Sequence, residues 1–174
     1  MLEGVKNQLI KMHKLSEISE QFLLLSSKDL LDYQMITDLL LELSDGRFAV
    51  FNLIDHHGDY FHTEAFSGNA ALVEKALKVA GIDFSKKIWP NDPVRLERTS
   101  NQITTHFQTI YEYAGSVVPD LVCISLQKMF HIGELILIKI MTDKKMIGDF
   151  VIFMDADMPY DSEAIVEIYS RQVG

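Results

Sequence analysis

Residues Gly133 to Tyr169 read GELILIKIMTDKKMIGDFVIFMDADMPYDSEAIVEIY and contain the most strongly patterned part of the chain. Two apolar segments of strand length flank a short polar stretch, Asp143 to Lys145, which is the composition of a hairpin. Both segments are apolar at odd and even positions, as are strands in the middle of a sheet that is covered on each face. The remaining residues predict a helix capped near Asp161 or Ser162. We therefore expect a central antiparallel hairpin that leads into an exit helix.

The overall composition limits the class of protein. A length of 174 residues with 48% apolar and 24% charged side chains predicts one globular domain with a sizeable core. The formal net charge of -9 argues against a nucleic-acid partner, because phosphate binding needs concentrated Lys and Arg. The single cysteine, Cys123, can form neither an intramolecular disulfide nor a Cys-rich zinc site. No apolar run approaches the ~20 residues that span a bilayer and the N-terminus lacks a signal-peptide pattern, so we expect a cytoplasmic segment without membrane insertion.

The first 25 residues predict a separate amphipathic helix. Apolar side chains recur at spacings of three and four and form a narrow stripe like a coiled-coil seam, consisting of Leu2, Val5, Leu9, Met12, Leu15, Ile18, Phe22 and Leu25. Such a helix either lies on its own domain or pairs with a second copy. We favour pairing because a complete domain follows. This divides the chain into a signalling and dimerisation helix, 1–27, and a globular domain, 28–174.

The rest of the chain predicts strand pairs that bracket helices. We expect helices over Leu30–Leu43 (capped by Asp29 and ended by Gly46), Ala70–Ala80, Asp92–Thr99, Thr104–Ala114 and Asp120–Phe130, and strands over Arg47–Ile54, Tyr60–Ser67 and Phe84–Trp89. Strand pairs in this order indicate an α+β fold with an antiparallel sheet, because a doubly wound parallel sheet needs regular alternation of strand and helix.

A series of short motifs runs through most of the chain, from Leu30 to Val173. They are GRFAVFNL at Gly46–Leu53, FSG at Phe66–Gly68, IWP at Ile88–Pro90 followed by ITTHF at Ile103–Phe107, VPDLVC at Val118–Cys123 and IGDFVI at Ile147–Ile152. In order and spacing they resemble the GAF-type sensory domains of archaeal-type sensory histidine kinases. That resemblance implies a PAS-like antiparallel sheet of five to six strands with helices on one face. It also implies a ligand pocket on the other face, under the irregular segment 82–119, and dimers joined through long N- and C-terminal helices.

Aromatic residues of the irregular segment and the neighbouring strand are candidates for the pocket wall. We predict that a small, unidentified ligand meets the rings of Phe51, Trp89, Phe107, Tyr111 and Tyr113, with Asn52 and His106 as orienting polar groups. The alternative is that these side chains fill a core, and that the chain is a dimerisation or interaction module without a ligand.

The sequence lacks the common catalytic signatures and several cofactor signatures of GAF relatives. It has no Gly-rich phosphate loop, no Gly-x-Ser-x-Gly elbow and no His-Glu-x-x-His, so we expect no catalysis by this chain. Among GAF relatives, methionine sulfoxide reduction needs more than one cysteine. The cyclic-nucleotide signature is missing, and bilin attachment needs a Cys followed by His, whereas Ile124 follows Cys123. His106, Cys123 and His131 could each supply one axial haem ligand, which makes a haem or redox sensor a second alternative.

The leading prediction is the signal-input domain of a two-component sensory histidine kinase. Its dimer would relay the ligand state through the terminal helices to an output domain of the same polypeptide, and the catalytic domains would lie outside these residues. The final helix still carries apolar Ile165, Val166 and Ile168 near the chain end at Gly174, so we expect that it continues in a longer protein.

Overall fold

Six strands form one antiparallel sheet in the computed structural model, which describes residues 2–25, 32–81 and 88–174. They are β1 (Phe48–Ile54), β2 (Tyr60–Gly68), β3 (Ile88–Pro90), β4 (Thr104–Phe107), β5 (Ile132–Thr142) and β6 (Lys145–Asp155). The α-helices of the same residues are α1 (Leu2–Leu25), α2 (Tyr33–Ser44), α3 (Ala70–Ala80), α4 (Pro93–Thr99), α5 (Ile110–Ala114), α6 (Asp120–Met129) and α7 (Glu163–Val173). The spatial order β3-β2-β1-β6-β5-β4 places β5 and β6 inside the sheet, which confirms the predicted α+β fold and its central hairpin.

The central hairpin buries both of its faces, as its sequence predicts. β5 and β6 pair antiparallel and meet at a tight turn, where Asp143 adopts the left-handed conformation at a φ of 54°. Along each strand the buried side chains alternate between the two faces. Ile136, Ile138, Ile140, Phe150 and Ile152 lie on one face, and Leu135, Leu137 and Val151 lie on the other.

Helices α1, α2 and α7 cover the first of these faces. In α7, Val166 and Tyr169 are fully buried, and the Tyr169 hydroxyl donates a hydrogen bond of 2.7 Å to the carbonyl oxygen of Ile36 in α2. Leu15 and Ile18 of α1 are buried in the same cluster, so the second half of α1 lies on its own domain. The first half of α1 presents an apolar surface of more than half-exposed side chains, which are Val5, Leu9, Ile10 and Met12.

Shorter elements cover the opposite face, and here one sequence prediction is wrong. The segment Thr104–Ala114 is not a single helix, because its first four residues form the edge strand β4 and only Ile110–Ala114 are helical. Thr105 and Phe107 are buried, whereas Thr104 and His106 are only partly buried, which is the two-residue period of a strand. Pairing of β4 with β5 supplies the backbone hydrogen bonds that decide against the helix.

The remaining element boundaries agree with the sequence within a few residues, apart from the caps of α2. Its N-cap is Asp32, whose carboxylate accepts from the backbone N–H of Met35, and Asp29 lies outside the described residues. At its other end Asp45, not Gly46, adopts the left-handed conformation, with a φ of 55°. Of the predicted strand Phe84–Trp89, only 88–89 fall within the described residues, in β3. No helix in the described part of the chain is long and apolar enough to cross a membrane.

Candidate ligand-binding site

A cavity of about 160 Å³ lies between the sheet and the segment that covers it. Its floor includes Phe48, Val50 and Asn52, which share one face of β1 because strand side chains alternate. The neighbouring strand β2 adds Phe61 and Thr63. The other walls come from β3 and helices α3 to α6, and they include Trp89, Arg95, Tyr113, Val118, Leu126 and Phe130. The lining is therefore largely aromatic and aliphatic, with polar groups gathered near the β1–β2 floor.

A chain of buried hydrogen bonds crosses that floor. The Trp89 Nε1–H donates to the Thr63 hydroxyl at 3.1 Å, and this hydroxyl donates to Asn52 Oδ1 at 2.8 Å. Asn52 Nδ2 in turn donates to the Asp149 carboxylate at 2.7 Å. Burial raises the pKa of Asp149, although the positive charge of Arg95 and the hydrogen bond from Asn52 oppose this effect.

Gly148 permits the close approach of β6 to β1 beside this network. A Cβ atom at this position would overlap the backbone carbonyl oxygen of Asn52. The glycine inside an otherwise apolar strand therefore has a packing reason, in agreement with the close backbone approach that such a residue suggests.

Arg95 on α4 supplies a buried positive charge beside this floor, with only 7% of its surface exposed. Its guanidinium carbon lies 4.2 Å from the centre of the Phe61 ring and 5.4 Å from that of Tyr113. Its Nη2 donates to Asn91 Oδ1 at 2.7 Å. Asp92 caps α4 and accepts from the backbone N–H groups of Val94 and Arg95. Burial also raises the pKa of Tyr113 to about 12, so this phenol is neutral at physiological pH.

A second set of contacts joins the cavity wall to α7 by way of β4. On α4, Arg98 donates to the backbone carbonyl of His106 at 3.2 Å. The His106 ring lies 3.0 Å from a Glu134 carboxylate oxygen on β5 and 3.3 Å from one of Glu163 at the start of α7. Burial lowers the pKa of His106, but the hydrogen bonds and charges of the two glutamates outweigh it and raise the pKa above its usual value.

One helical turn further along α7, the Thr104 hydroxyl donates to a Glu167 carboxylate oxygen at 2.6 Å. Side chains of β4 at alternate positions, Thr104 and His106, therefore hold the first two turns of α7. This edge strand lies between the helix that carries Arg95 and the exit helix.

The structure separates the six residues predicted to bind a ligand. Asn52 and Trp89 line the cavity. Phe107 is fully buried behind the wall, with its ring centre 5.7 Å from that of Tyr113. Phe51 faces the helix layer and packs on Phe150, His106 lies at the sheet edge, and Tyr111 is half-exposed on α5. Of the aromatic set, Tyr113 also lines the cavity.

The three candidate haem ligands, His106, Cys123 and His131, do not line the described cavity. Cys123 is buried in α6, where its thiol donates to the carbonyl oxygen of Val118 at 3.7 Å and burial raises its pKa. His131 is exposed, 3.0 Å from an Asp157 carboxylate oxygen. Sequence reasoning missed Arg95 and Asp149. Asp149 could have been found from the sequence, because an acidic side chain inside the apolar strand IGDFVIF needs a buried partner.

Comparison with known proteins identifies the fold. No protein-family model matches the sequence, and no curated protein matches it. The GAF domain of an Acinetobacter phosphoenolpyruvate-protein phosphotransferase superposes with a TM-score of 0.59 at 9% identity, covering 94% of this chain and 90% of that one. The chain has a GAF fold.

Two further structures show the same fold in sensory proteins. A domain of a two-component sensor histidine kinase protein from Sinorhizobium meliloti matches with a TM-score of 0.54 at 16% identity, covering 84% of this chain and 90% of that one. The chromophore-binding domain of Stigmatella aurantiaca phytochrome P1 matches with a TM-score of 0.56 at 13% identity. There the match covers 95% of this chain but 59% of the other. Both matches support the GAF fold that the sequence motifs imply.

Proposed function

We propose that this GAF-fold chain is the signal-input domain of a cytoplasmic two-component sensory histidine kinase and binds a small molecule in the cavity described above. The observation that carries the proposal is the cavity itself, an apolar space with a few convergent polar groups, which is the usual form of a small-molecule site. The chain itself supplies no catalysis in this proposal, and the kinase reaction belongs to other parts of the polypeptide.

The contacts through β4 provide a route from the cavity to the exit helix. Arg95 in the cavity wall and Arg98 at the β4 backbone lie three residues apart on α4, so they occupy neighbouring positions on that helix. A ligand that moves α4 changes the position of β4, whose Thr104 and His106 hold α7. The bound and free states then differ in the placement of α7, and ligand binding shifts the population between them.

A dimer through the terminal helices completes the proposed relay. The exposed apolar side chains of α1 continue into a groove between α1 and α7 that includes Met12, Leu15 and Ile168. A second copy that presents the same helices would cover this surface. Light scattering of a Leu9→Glu variant tests this, with Leu121→Glu on the exposed face of α6 as the control. We expect Leu9→Glu alone to yield monomers, and a dimer that survives it would contradict the proposed interface.

Native mass spectrometry of the protein purified from its own host tests the ligand-binding step. We expect a retained small molecule that is released on denaturation. Hydrogen–deuterium exchange then compares the loaded and empty protein. The relay predicts a change in the exchange of residues 163–173, whereas ligand binding with unchanged exchange there would contradict the route through β4. A protein without any retained or added ligand would instead favour the dimerisation module considered from the sequence.

A further inference from the structure

The charged groups at the cavity all have partners within the protein. Among the described lining residues the charged side chains are Asp92 and Arg95, and Asp149 lies behind Asn52. Asp92 accepts hydrogen bonds from two backbone N–H groups of α4 and from a serine hydroxyl. Asp149 accepts from Asn52, and Arg95 donates to Asn91. A charged ligand would therefore meet charged side chains that already have hydrogen-bond partners within the protein.

Arg95 also occupies the position that a cationic ligand would take. Aromatic rings attract cations to their faces, and the rings of Phe61 and Tyr113 already hold the guanidinium at 4.2 Å and 5.4 Å. A second cation beside it would meet the charge of Arg95. An anion would meet Asp92 and the buried Asp149, and either charge would lose its hydration in an apolar space.

Size and wall chemistry restrict the ligand further. The cavity volume of about 160 Å³ is close to that of an engineered cavity of about 150 Å³ in another protein that binds benzene. The walls include the aromatic side chains of Phe48, Phe66, Trp89 and Phe130, which suit an aromatic partner. On the β1–β2 floor, the amide of Asn52 and the hydroxyl of Thr63 have hydrogen-bonding positions beyond those used in the buried network, and these can meet a small polar substituent.

We propose that the cavity binds a neutral aromatic compound of one ring, or of two small fused rings, that carries a hydroxyl or carbonyl substituent. This inference rests on the proposed ligand-binding function and specifies the class of its ligand. The ring lies among the aromatic walls, and the substituent points to the floor at Asn52 and Thr63.

A series of three probes of equal size tests the role of charge. Benzyl alcohol, benzoate and benzylammonium share one ring and differ in charge, and two-dimensional NMR titration of the whole chain measures each affinity. We expect benzyl alcohol to bind at least about tenfold more tightly than either charged probe, because neither charge gains a partner that repays its lost hydration. Equal or tighter binding of benzoate or benzylammonium would overturn the proposal.

Two matched valine variants test whether benzyl alcohol binds in the cavity. Val118 lines the cavity, whereas Val94 on α4 is 73% exposed. Val118→Phe fills the space, and we expect it to abolish benzyl alcohol binding. Val94→Phe adds the same ring to the surface and should retain the affinity of the original chain. Binding that survives Val118→Phe would show that the probe occupies another place and would contradict the proposal.

Replacing Arg95, the cation in the cavity wall, should raise the affinity of the cavity for a cationic probe relative to a neutral one. In Arg95→Met the rings of Phe61 and Tyr113 lose their cation, and the nearby carboxylates lose a balancing charge. We expect the affinity for benzylammonium, relative to benzyl alcohol, to rise by about tenfold or more. An unchanged ratio would contradict the role assigned to Arg95.

Failure of the ligand class can be distinguished from failure of the proposed function. If no probe binds but the protein from its own host retains a charged or aliphatic compound, the class is wrong and the ligand-binding function stands. If no probe binds and nothing is retained, both are contradicted. A retained neutral aromatic compound would support both.

Discussion

Replacement of Asn52 by leucine is the most direct test of the buried network beneath the cavity. Asn52 is fully buried, accepts from the Thr63 hydroxyl and donates to the Asp149 carboxylate. Leucine has the same number and branching of side-chain heavy atoms but neither polar group, so both partners would lose a hydrogen bond inside the protein. A buried polar group left without a partner costs about 1–3 kcal/mol. Two such groups predict a loss of roughly 2–6 kcal/mol in the free energy of unfolding.

Urea denaturation followed by circular dichroism measures this loss. For a domain of this size, each kcal/mol lowers the melting temperature by about 2–4 °C, so thermal unfolding should shift by roughly 4–24 °C. The exposed Asn101 provides a control, since Asn101→Leu should change the free energy of unfolding by less than about 0.5 kcal/mol.

A second variant separates lost hydrogen bonds from altered packing. Thr63→Val removes one partner of Asn52 and should destabilise the protein by itself. Combined with Asn52→Leu it should cost less than the sum of the two single variants, because the Thr63 O–H donor that loses its acceptor in Asn52→Leu is then absent. A loss below about 0.5 kcal/mol for Asn52→Leu, or strict additivity in the double variant, would refute this account of the network.

Three further outcomes follow from contacts elsewhere in the fold. The pKa of His106 is raised above 6.5, so its ion pairs stabilise the protein fully below that pH and lose this effect as pH rises through the higher folded-state pKa. His106→Gln should therefore reduce the pH dependence of the urea unfolding midpoint between about pH 6 and 8. A variant whose midpoint changes with pH as steeply as that of the original chain would contradict this. Gly148→Ala should shift NMR signals of both β1 and β6, because its Cβ overlaps Asn52; an unperturbed β1 would show that there is room. Tyr169→Phe should lower the free energy of unfolding by about 0.5–1.5 kcal/mol, as the bond to Ile36 is lost; no change by calorimetry would argue against that bond.

The fold was predictable where the pattern of apolar residues repeats over a long segment. In β5 and β6, apolar side chains at successive positions predict two covered faces, and the structure places Ile136 and Leu137 in different core clusters. The four-residue strand β4 carries no such repeat. Its mixture of Thr, His and Phe is compatible with a helix or a strand, and pairing with distant β5 decides between them.

The same alternation could have sharpened the prediction of the cavity lining. Phe51 and Asn52 are adjacent on one strand, so their side chains point to opposite faces and both cannot line one cavity. Asn52 faces the cavity and Phe51 faces the helices. The position of Arg95 had no comparable signal, because it depends on how a seven-residue helix is placed over β2 by contacts between distant segments.

In the proposed relay, the placement of charge on α4 would connect the cavity to the exit helix. Arg95 and Arg98 lie on the same short helix, and each packs over an aromatic ring, at 4.2 Å for Phe61 and 4.8 Å for Phe107. Because α4 has only seven residues, we propose that a ligand that shifts the helix backbone at Arg95 shifts Arg98 as well. Arg98 contacts the β4 backbone at His106, the residue that also contacts α7. A neutral ligand suits this arrangement, since it can compete for the Phe61 ring without creating an unpaired charge among the groups that hold the helix in place.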